Sequence, residues 1–237
     1  MYIFRTMKHI VVLSGAGVSA ESGIPTFRAS DGLWESHRIE DVATPQAWQR
    51  NPALVLRFYN ERRQKAATAQ PNAAHIGLAQ LEQHYRITVI TQNVDDLHER
   101  GGSSRVVHLH GKLREVRSTR KPDLVYDIGD KAINLGDKCA LGSQLRPNIV
   151  WFGEAVPMMD LAMDITSTAD IFVVIGTSLV VYPAAGLLQY APASIPKYLI
   201  DPQPNASFIG IKNLQIIAES ATVGIEKLKK ALLPPLS

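Results

Sequence analysis

Two stretches of this chain carry residue types that could do chemistry. Thr91-Gln92-Asn93-Val94-Asp95-Asp96-Leu97-His98 places an amide pair, two carboxylates and an imidazole together, and His108-Leu109-His110-Gly111 adds two more imidazoles. Imidazole titrates near neutral pH and can serve as a general base. Amides can orient hydroxyl groups or an ordered water, and a buried carboxylate can accept from an N–H. The first stretch follows Ile87-Thr88-Val89-Ile90, a short apolar run of the kind expected for a buried parallel strand. In open α/β sheets, ligands sit in the crevice beyond the carboxyl ends of the strands. The alternative for these residues is a polar loop whose Asn and Asp bond their own backbone. This stretch alone leaves both open.

A second strand signal is Lys8-His9-Ile10-Val11-Val12-Leu13-Ser14, followed at once by Gly15-Ala16-Gly17-Val18-Ser19-Ala20. Such a glycine turn lets a backbone approach a pyrophosphate at a helix N-terminus. The ordinary dinucleotide fingerprint fails here, because no second strand ends in an acidic residue about twenty positions later. Instead Glu21-Ser22-Gly23-Ile24-Pro25-Thr26-Phe27-Arg28 reads as a loop. Further on, Ile171-Phe172-Val173-Val174-Ile175 suits a central strand covered on both faces. Gly176-Thr177-Ser178 at its end forms a small hydroxyl-bearing loop.

The positioning elements follow from caps and periodicity. Thr44-Pro45 and Asn51-Pro52 each set a capping side chain before a proline at a first helical position. A helix is predicted from Pro52 to about Ala69, with Tyr59 and Arg62 on one face. Further helices are expected over Asn72 to about Tyr85, Pro157 to Thr168, Pro183 to Tyr190 and Ala221 to Leu233. Strands are expected at Val106–Leu109, Lys197–Ile200 and Leu214–Ala218. Strand–helix alternation argues an α/β fold, a doubly wound, Rossmann-like parallel sheet with helices on both faces. From 112 to 145 the pattern changes to short strands and turns, a small inserted subdomain within one domain of 1–237. Leu124, Val125, Tyr126 and Ile128 are its candidate core.

With 237 residues and 46% hydrophobic composition the chain can build one full core. The net charge of +3, without a basic run, gives no footprint for nucleic acid. No apolar run reaches the length of a membrane span. The single cysteine, Cys139, fits a reducing compartment, and no signal peptide is visible. A soluble cytoplasmic monomer is expected.

Gly15-Ala16-Gly17-Val18-Ser19 with Gly23-Ile24-Pro25-Thr26-Phe27-Arg28 resembles the signature of the sirtuins, the NAD-dependent protein lysine deacylases. Thr91-Gln92-Asn93-Val94-Asp95, His110-Gly111, Arg146-Pro147-Asn148-Ile149-Val150-Trp151-Phe152-Gly153-Glu154 and Gly176-Thr177-Ser178-Leu179 match further sirtuin blocks, in family order. The resemblance implies transfer of an acyl group from lysine to ADP-ribose with release of nicotinamide. It implies that His110 is the general base and that Asn93 and Gln92 orient the ribose and a water. Asp95, with Ile24, would serve the carboxamide. Gly15, Ala16, Gly17, Ser19, Gly176, Thr177 and Ser178 would serve the cofactor's phosphates and their surroundings. Phe27 would shield the reacting centre, and Arg28 would clamp NAD or gate product exit. Asp201 stands where sirtuins usually carry Asn, and would accept from the adenosine ribose near Ala221. Val150, Phe152 and Gly153 would border the acyl-lysine peptide; Glu154 faces either that peptide or solvent.

Tyr59 and Arg62 resemble the Tyr-x-x-Arg of sirtuins that remove succinyl, malonyl and glutaryl groups. A guanidinium can form two parallel bonds to a distal carboxylate and a phenol a third, whereas an acetyl group offers no carboxylate. The usual four zinc cysteines are reduced to Cys139, with Ser118 where a first-pair cysteine would stand and Gly136 opening the second pair; no zinc is expected. Mono-ADP-ribosyl transfer and a non-catalytic NAD-sensing module are the alternatives. A nicotinamide dehydrogenase is disfavoured by the missing acidic residue.

Overall fold

The computed structural model describes residues 7–26, 33–34, 37–204 and 210–233. Its strands are β1 (His9–Ser14), β2 (Leu33–Trp34), β3 (His37–Arg38), β4 (Arg86–Thr91), β5 (Val106–His108), β6 (Gly111–Ser118), β7 (Val125–Asp127), β8 (Leu145–Ile149), β9 (Ile171–Ile175), β10 (Lys197–Ile200) and β11 (Leu214–Ile217). Six of them form one parallel sheet in the order β11-β10-β9-β1-β4-β5. Alternate residues of each central strand face opposite sides. Ile10, Val12, Val89 and Val173 pack against the helices Ala73–Gln80 and Ala221–Leu232. Val11, Leu13, Ile90, Phe172 and Val174 pack beneath the helix Met159–Ser167 and the 3-10 segment Ala184–Tyr190. Both faces are covered, which is why these strands read as unbroken apolar runs.

The chain runs from β1 outward to β4 and β5, then returns to the other side of β1 for β9, β10 and β11. The strand order therefore reverses between β1 and β9. A ligand crevice opens at such a reversal, beyond the carboxyl ends of the strands.

Most expected boundaries hold to within two residues. The helix Pro52–Thr68 starts under the Asn51 cap, whose side chain accepts from Leu54 N–H at 3.0 Å. The segment expected to be helical through Tyr85 instead leaves the α-helix at Gln80 and tightens into a 3-10 turn over Leu81–Gln83. The chain must drop there into β4, where Arg86 N–H bonds Lys8 O at 3.0 Å.

β6, β7 and β8 form a separate antiparallel sheet. It is held differently from the sequence expectation. Leu56, Val116 and Ile133 form its buried centre, covered by Tyr126, Ile128 and Leu145. Val125 is 40% exposed. The register explains this: Tyr126 lies opposite Val116 and shares its face, so its neighbour Val125 must point the other way. Arg63 of the Pro52–Thr68 helix also donates to Leu113 O at 2.6 Å, tying that helix to β6. Cys139 sits in this unit with its Sγ 3.0 Å from Ser143 Oγ and 3.4 Å from Ser118 Oγ. No group of three His, Cys, Asp or Glu suited to a metal ion occurs among the described residues. Nor is any helix among them long and apolar enough to cross a membrane.

Candidate active site

The crevice at the strand-order reversal is one cavity of about 510 Å³. Two glycine turns form its floor. Gly15 N–H donates to Ile175 O at 3.1 Å and Gly17 N–H to Gly176 O at 2.8 Å. A Cβ on Gly15 would stand 2.6 Å from Thr177 Cβ, and one on Gly17 would stand 2.8 Å from Gly176 Cα. The turns after β1 and β9 therefore interlock only because both are bare backbone. Gln92 reaches across from the end of β4 and donates to Thr177 Oγ1 at 3.2 Å.

Behind the floor lies a buried polar network that the sequence did not reveal. Ser19 Oγ donates to Asp95 Oδ2 at 3.1 Å and accepts from Asn93 Nδ2 at 3.1 Å. Asn72 N–H donates to His75 Nδ1 at 3.2 Å, so the proton of that ring sits on Nε2, 3.4 Å from Ser19 Oγ. Ser14 donates to Thr91 Oγ1 and takes the Nε2–H of His98 at 2.8 Å. Asn93 is thus fixed through its amide by Ser19 and through its N–H by Thr91 Oγ1 at 3.0 Å. Burial raises the Asp95 carboxyl above its ordinary value, against the opposing bonds from Leu97 N–H and Ser19. His75 and His98 come from separate segments, and only the fold brings their rings to a 4.9 Å edge-on contact.

This network has a pH consequence. Burial pushes His75 down to about 4 and His98 down to about 3, from an ordinary 6.5. The unfolded chain then binds more protons than the folded one below pH 6.5. Stability is complete above that value and drains away as pH falls toward 4 and 3. A shift of this size corresponds to a loss on the order of 3 kcal/mol. Urea titrations at pH 7 and pH 4.5 are expected to show the loss, and His75→Gln should flatten the slope; an unchanged slope in that variant would remove His75 as its source.

His110 lines the cavity beside Asn93 and Gln92. Its Nδ1 lies 3.0 Å from Gln92 O. A carbonyl only accepts, so Nδ1 carries the proton and Nε2 keeps the lone pair of a base. Burial lowers the His110 pKa, opposed in part by the Gln92 bond. His108 plays another part: Nδ1 lies 3.2 Å from Asn93 O and Nε2 lies 2.8 Å from Glu99 Oε1. It clamps the Asn93 loop from behind, as a structural histidine.

The far wall is Val150, Trp151, Phe152, Gly153 and Glu154. Glu154 is neither a solvated charge nor aimed at a peptide. It accepts from Arg146 Nη1 at 2.8 Å, Arg146 Nη2 at 3.0 Å and Trp151 N–H at 2.8 Å. Burial pushes its carboxyl up, but these bonds outweigh burial and hold it below the ordinary range. The N–H groups of Val150 and Phe152 are committed to His110 O and Ala43 O, both at 3.0 Å.

Tyr59 is fully buried and lines the same cavity, with its ring 6.5 Å from that of Trp151. Burial pushes its phenol pKa up, keeping a neutral O–H donor. Arg62 is 4% exposed and is not among the described lining residues. Its guanidinium carbon stands 3.2 Å over the Phe58 ring, and its Nη1 donates to Phe58 O at 2.9 Å. Ser19, Ile24, Asp95, Ser178, Asp201 and Ala221 all join the cavity wall. So do Ser220, beside Ala221, and Glu21, which the sequence reading did not single out for the ligand. Phe27 and Arg28 lie outside the described residues.

A parallel sheet with one polar row along its carboxyl edge defines a Rossmann-like α/β protein with its ligand crevice at the switch point. The Sir2 family model matches residues 15–183. A Bacteroides thetaiotaomicron protein named NAD-dependent protein deacylase is 52% identical over 233 residues, covering 96% of this chain and 99% of its own length. A Helicobacter pylori protein of the same name is 52% identical over 227 residues, with 96% and 98% covered. A Sir2 homologue solved as an NAD complex superposes with a TM-score of 0.85 at 42% identity, over 95% of this chain and 89% of that one. A Sir2 structure with p53 peptide and NAD+ gives a TM-score of 0.77 at 31% identity, over 95% and 93%. The chain belongs to the Sir2 family.

Proposed function

We propose that this protein is an NAD-dependent protein lysine deacylase that favours succinyl and malonyl groups and yields O-acyl-ADP-ribose, nicotinamide and free lysine. We further infer a cytoplasmic monomer whose macromolecular partners are acyl-lysine proteins or peptides. The observation that carries the deacylase assignment is the single cavity running from the glycine turns to the Trp151 wall, with the lone pair of His110 Nε2 between them.

The residues fit NAD. The bare glycine turns let a diphosphate approach the strand ends, the Thr177 and Ser178 hydroxyls can donate to it, and the volume falls in the range of small-ligand sites. Bound NAD would supply an electrophilic ribose carbon with nicotinamide as its leaving group. His110 Nε2 would take a proton from a ribose hydroxyl, its tautomer held by Gln92 O. Asn93 would orient that ribose, and the buried Asp95 with Ile24 would hold the carboxamide. The Trp151 and Phe152 wall would keep water from the reacting centre. Tyr59, and Arg62 three residues on along the same helix, would receive the carboxylate of a succinyl group.

Incubation with NAD and one peptide carrying either succinyl-lysine or acetyl-lysine, followed by mass spectrometry, tests both levels. Faster loss of succinyl with O-succinyl-ADP-ribose formed is expected. Faster loss of acetyl would overturn the acyl preference alone, and no turnover of either would overturn the deacylase assignment. Metal analysis of the purified protein is expected to show no stoichiometric zinc; one zinc per chain would overturn that expectation.

A further inference from the structure

A second, smaller cavity of about 180 Å³ meets the crevice at one loop: Val94 and Asp95 line both. Its other sides come from the end of the Pro52–Thr68 helix, from Leu113 and Arg114 of β6, and from Gly129 and Asp130 of the small subdomain. Nothing in the deacylation chemistry uses this space.

Three arginines line the cavity, and two are already paired. Arg114 donates to Asp127 Oδ2 at 2.8 Å and to Asp96 Oδ2 at 3.1 Å. Arg100 donates to Ala69 O at 2.6 Å and Ala66 O at 3.1 Å, with Asp96 Oδ1 3.5 Å away. Arg63 differs. It is 2% exposed, and its bonds go to neutral acceptors: Leu113 O at 2.6 Å, Asn60 Oδ1 at 2.7 Å and Lys131 O at 3.3 Å. Its Nη2 is buried with no hydrogen-bond partner, and no carboxylate pairs with its guanidinium among the described residues. Burial pushes its pKa down to about 10, so it is still charged at neutral pH. A buried cation without an anion is costly. The remaining carboxylates of the lining do not supply one: Asp95 is engaged by Leu97 N–H and Ser19 Oγ, and Asp130 is exposed to solvent, which screens it.

We propose that this cavity binds a short-chain monocarboxylate, with the carboxylate on Arg63 Nη2 and the chain against Ala66, Val94 and Leu113. The carboxylate supplies the missing acceptor through a charge-assisted hydrogen bond. The three apolar residues give its chain a surface to cover. The volume is on the scale that admits a ligand of about six heavy atoms, the size of butyrate. Inorganic phosphate suits the cavity less well, because its oxygens would face the same apolar residues without donors.

Titrating butyrate into the isotope-labelled full chain, read through its backbone amide resonances, tests the site without NAD or turnover. Saturable shifts are expected at Ala66, Ala67, Val94 and Leu113, with a Kd of about 1 mM or tighter, a modest affinity for a ligand of this size. Butyramide keeps the chain and lacks the charge, so it should bind at least about tenfold more weakly. Inorganic phosphate should also bind more weakly than butyrate. Arg63→Met should weaken butyrate at least about thirtyfold. Because Arg63 also ties its helix to β6, Ala67→Leu provides an independent variant. It removes no side-chain bond and fills the cavity from its exposed edge, so the butyrate shifts should vanish while the rest of the spectrum stays in place. Absence of saturable shifts at these residues, equal binding of butyramide, or undiminished binding by both variants would overturn the site. Shifts centred on Tyr59 and Trp151 instead would put the carboxylate in the crevice and overturn it as well. Phosphate binding as tightly as butyrate would overturn the class of ligand.

Discussion

His110→Ala is expected to lower deacylation by about two to four orders of magnitude, the range a positioned general base contributes. ADP-ribose affinity should stay within a few-fold, because the glycine turns and the Ser19–Asn93–Asp95 network do not depend on the imidazole. The fold should survive as well, since among the described residues the ring makes one hydrogen bond, to Gln92 O. Single-turnover assays of the variant beside calorimetry separate the two effects. The pH profile gives a second readout. Burial lowers the His110 pKa, so the neutral base persists below pH 6.5 and wild-type turnover should hold there, falling only at lower pH. The residual rate of the variant should not share that limb. Normal turnover in His110→Ala would remove it as the base.

The sheet was legible because its strands are buried on both faces. Val11-Val12-Leu13 and Phe172-Val173-Val174 admit few other structures once helices cover both sides. The helix starts at Pro45 and Pro52 were legible for a local reason: Thr44 and Asn51 cap within three residues. The glycine turns were found, but not all that they do. Sequence suggested room for a phosphate, whereas the structure shows two turns interlocking, Gly17 against Gly176. The supporting polar network was hidden because it joins Ser14, Ser19, His75, Asp95 and His98 across three segments, and no spacing encodes those contacts. Glu154 was ambiguous for a similar reason. Its partner Arg146 is eight residues away on a different element, so no helix or strand period pairs them. The core of the small sheet was read in part: Tyr126 and Ile128 do cover its centre, but the sequence placed Val125 beside them because a short strand alone does not give the phase of its alternation. Pairing with β6 decided that Tyr126, not Val125, faces inward.

Arg62→Met should separate the acyl substrates more sharply than any other single change. Methionine preserves most of the apolar stem and removes the guanidinium that stands over Phe58, with its five donors. Arg62 and Tyr59 lie three residues apart on one helix; Tyr59 sits in the core that also holds Phe58, Trp151 and Leu113, and Arg62 is buried against Phe58. A succinyl carboxylate entering past Tyr59 would leave water for a largely apolar wall. Such a charge is tolerated only where a fixed cation and neutral donors meet it. The Tyr59 phenol stays protonated through burial and can supply one donor. Truncating one partner of a desolvated charge pair costs about 2–5 kcal/mol, so desuccinylation kcat/KM should fall at least about thirtyfold. Deacetylation lacks that carboxylate and should change by no more than about threefold, the scale of a packing adjustment. Steady-state kinetics on the matched peptides provide the comparison. Equal losses on both would mean that Arg62 only supports the core beneath Tyr59, and the preference for acidic acyl groups would need another source.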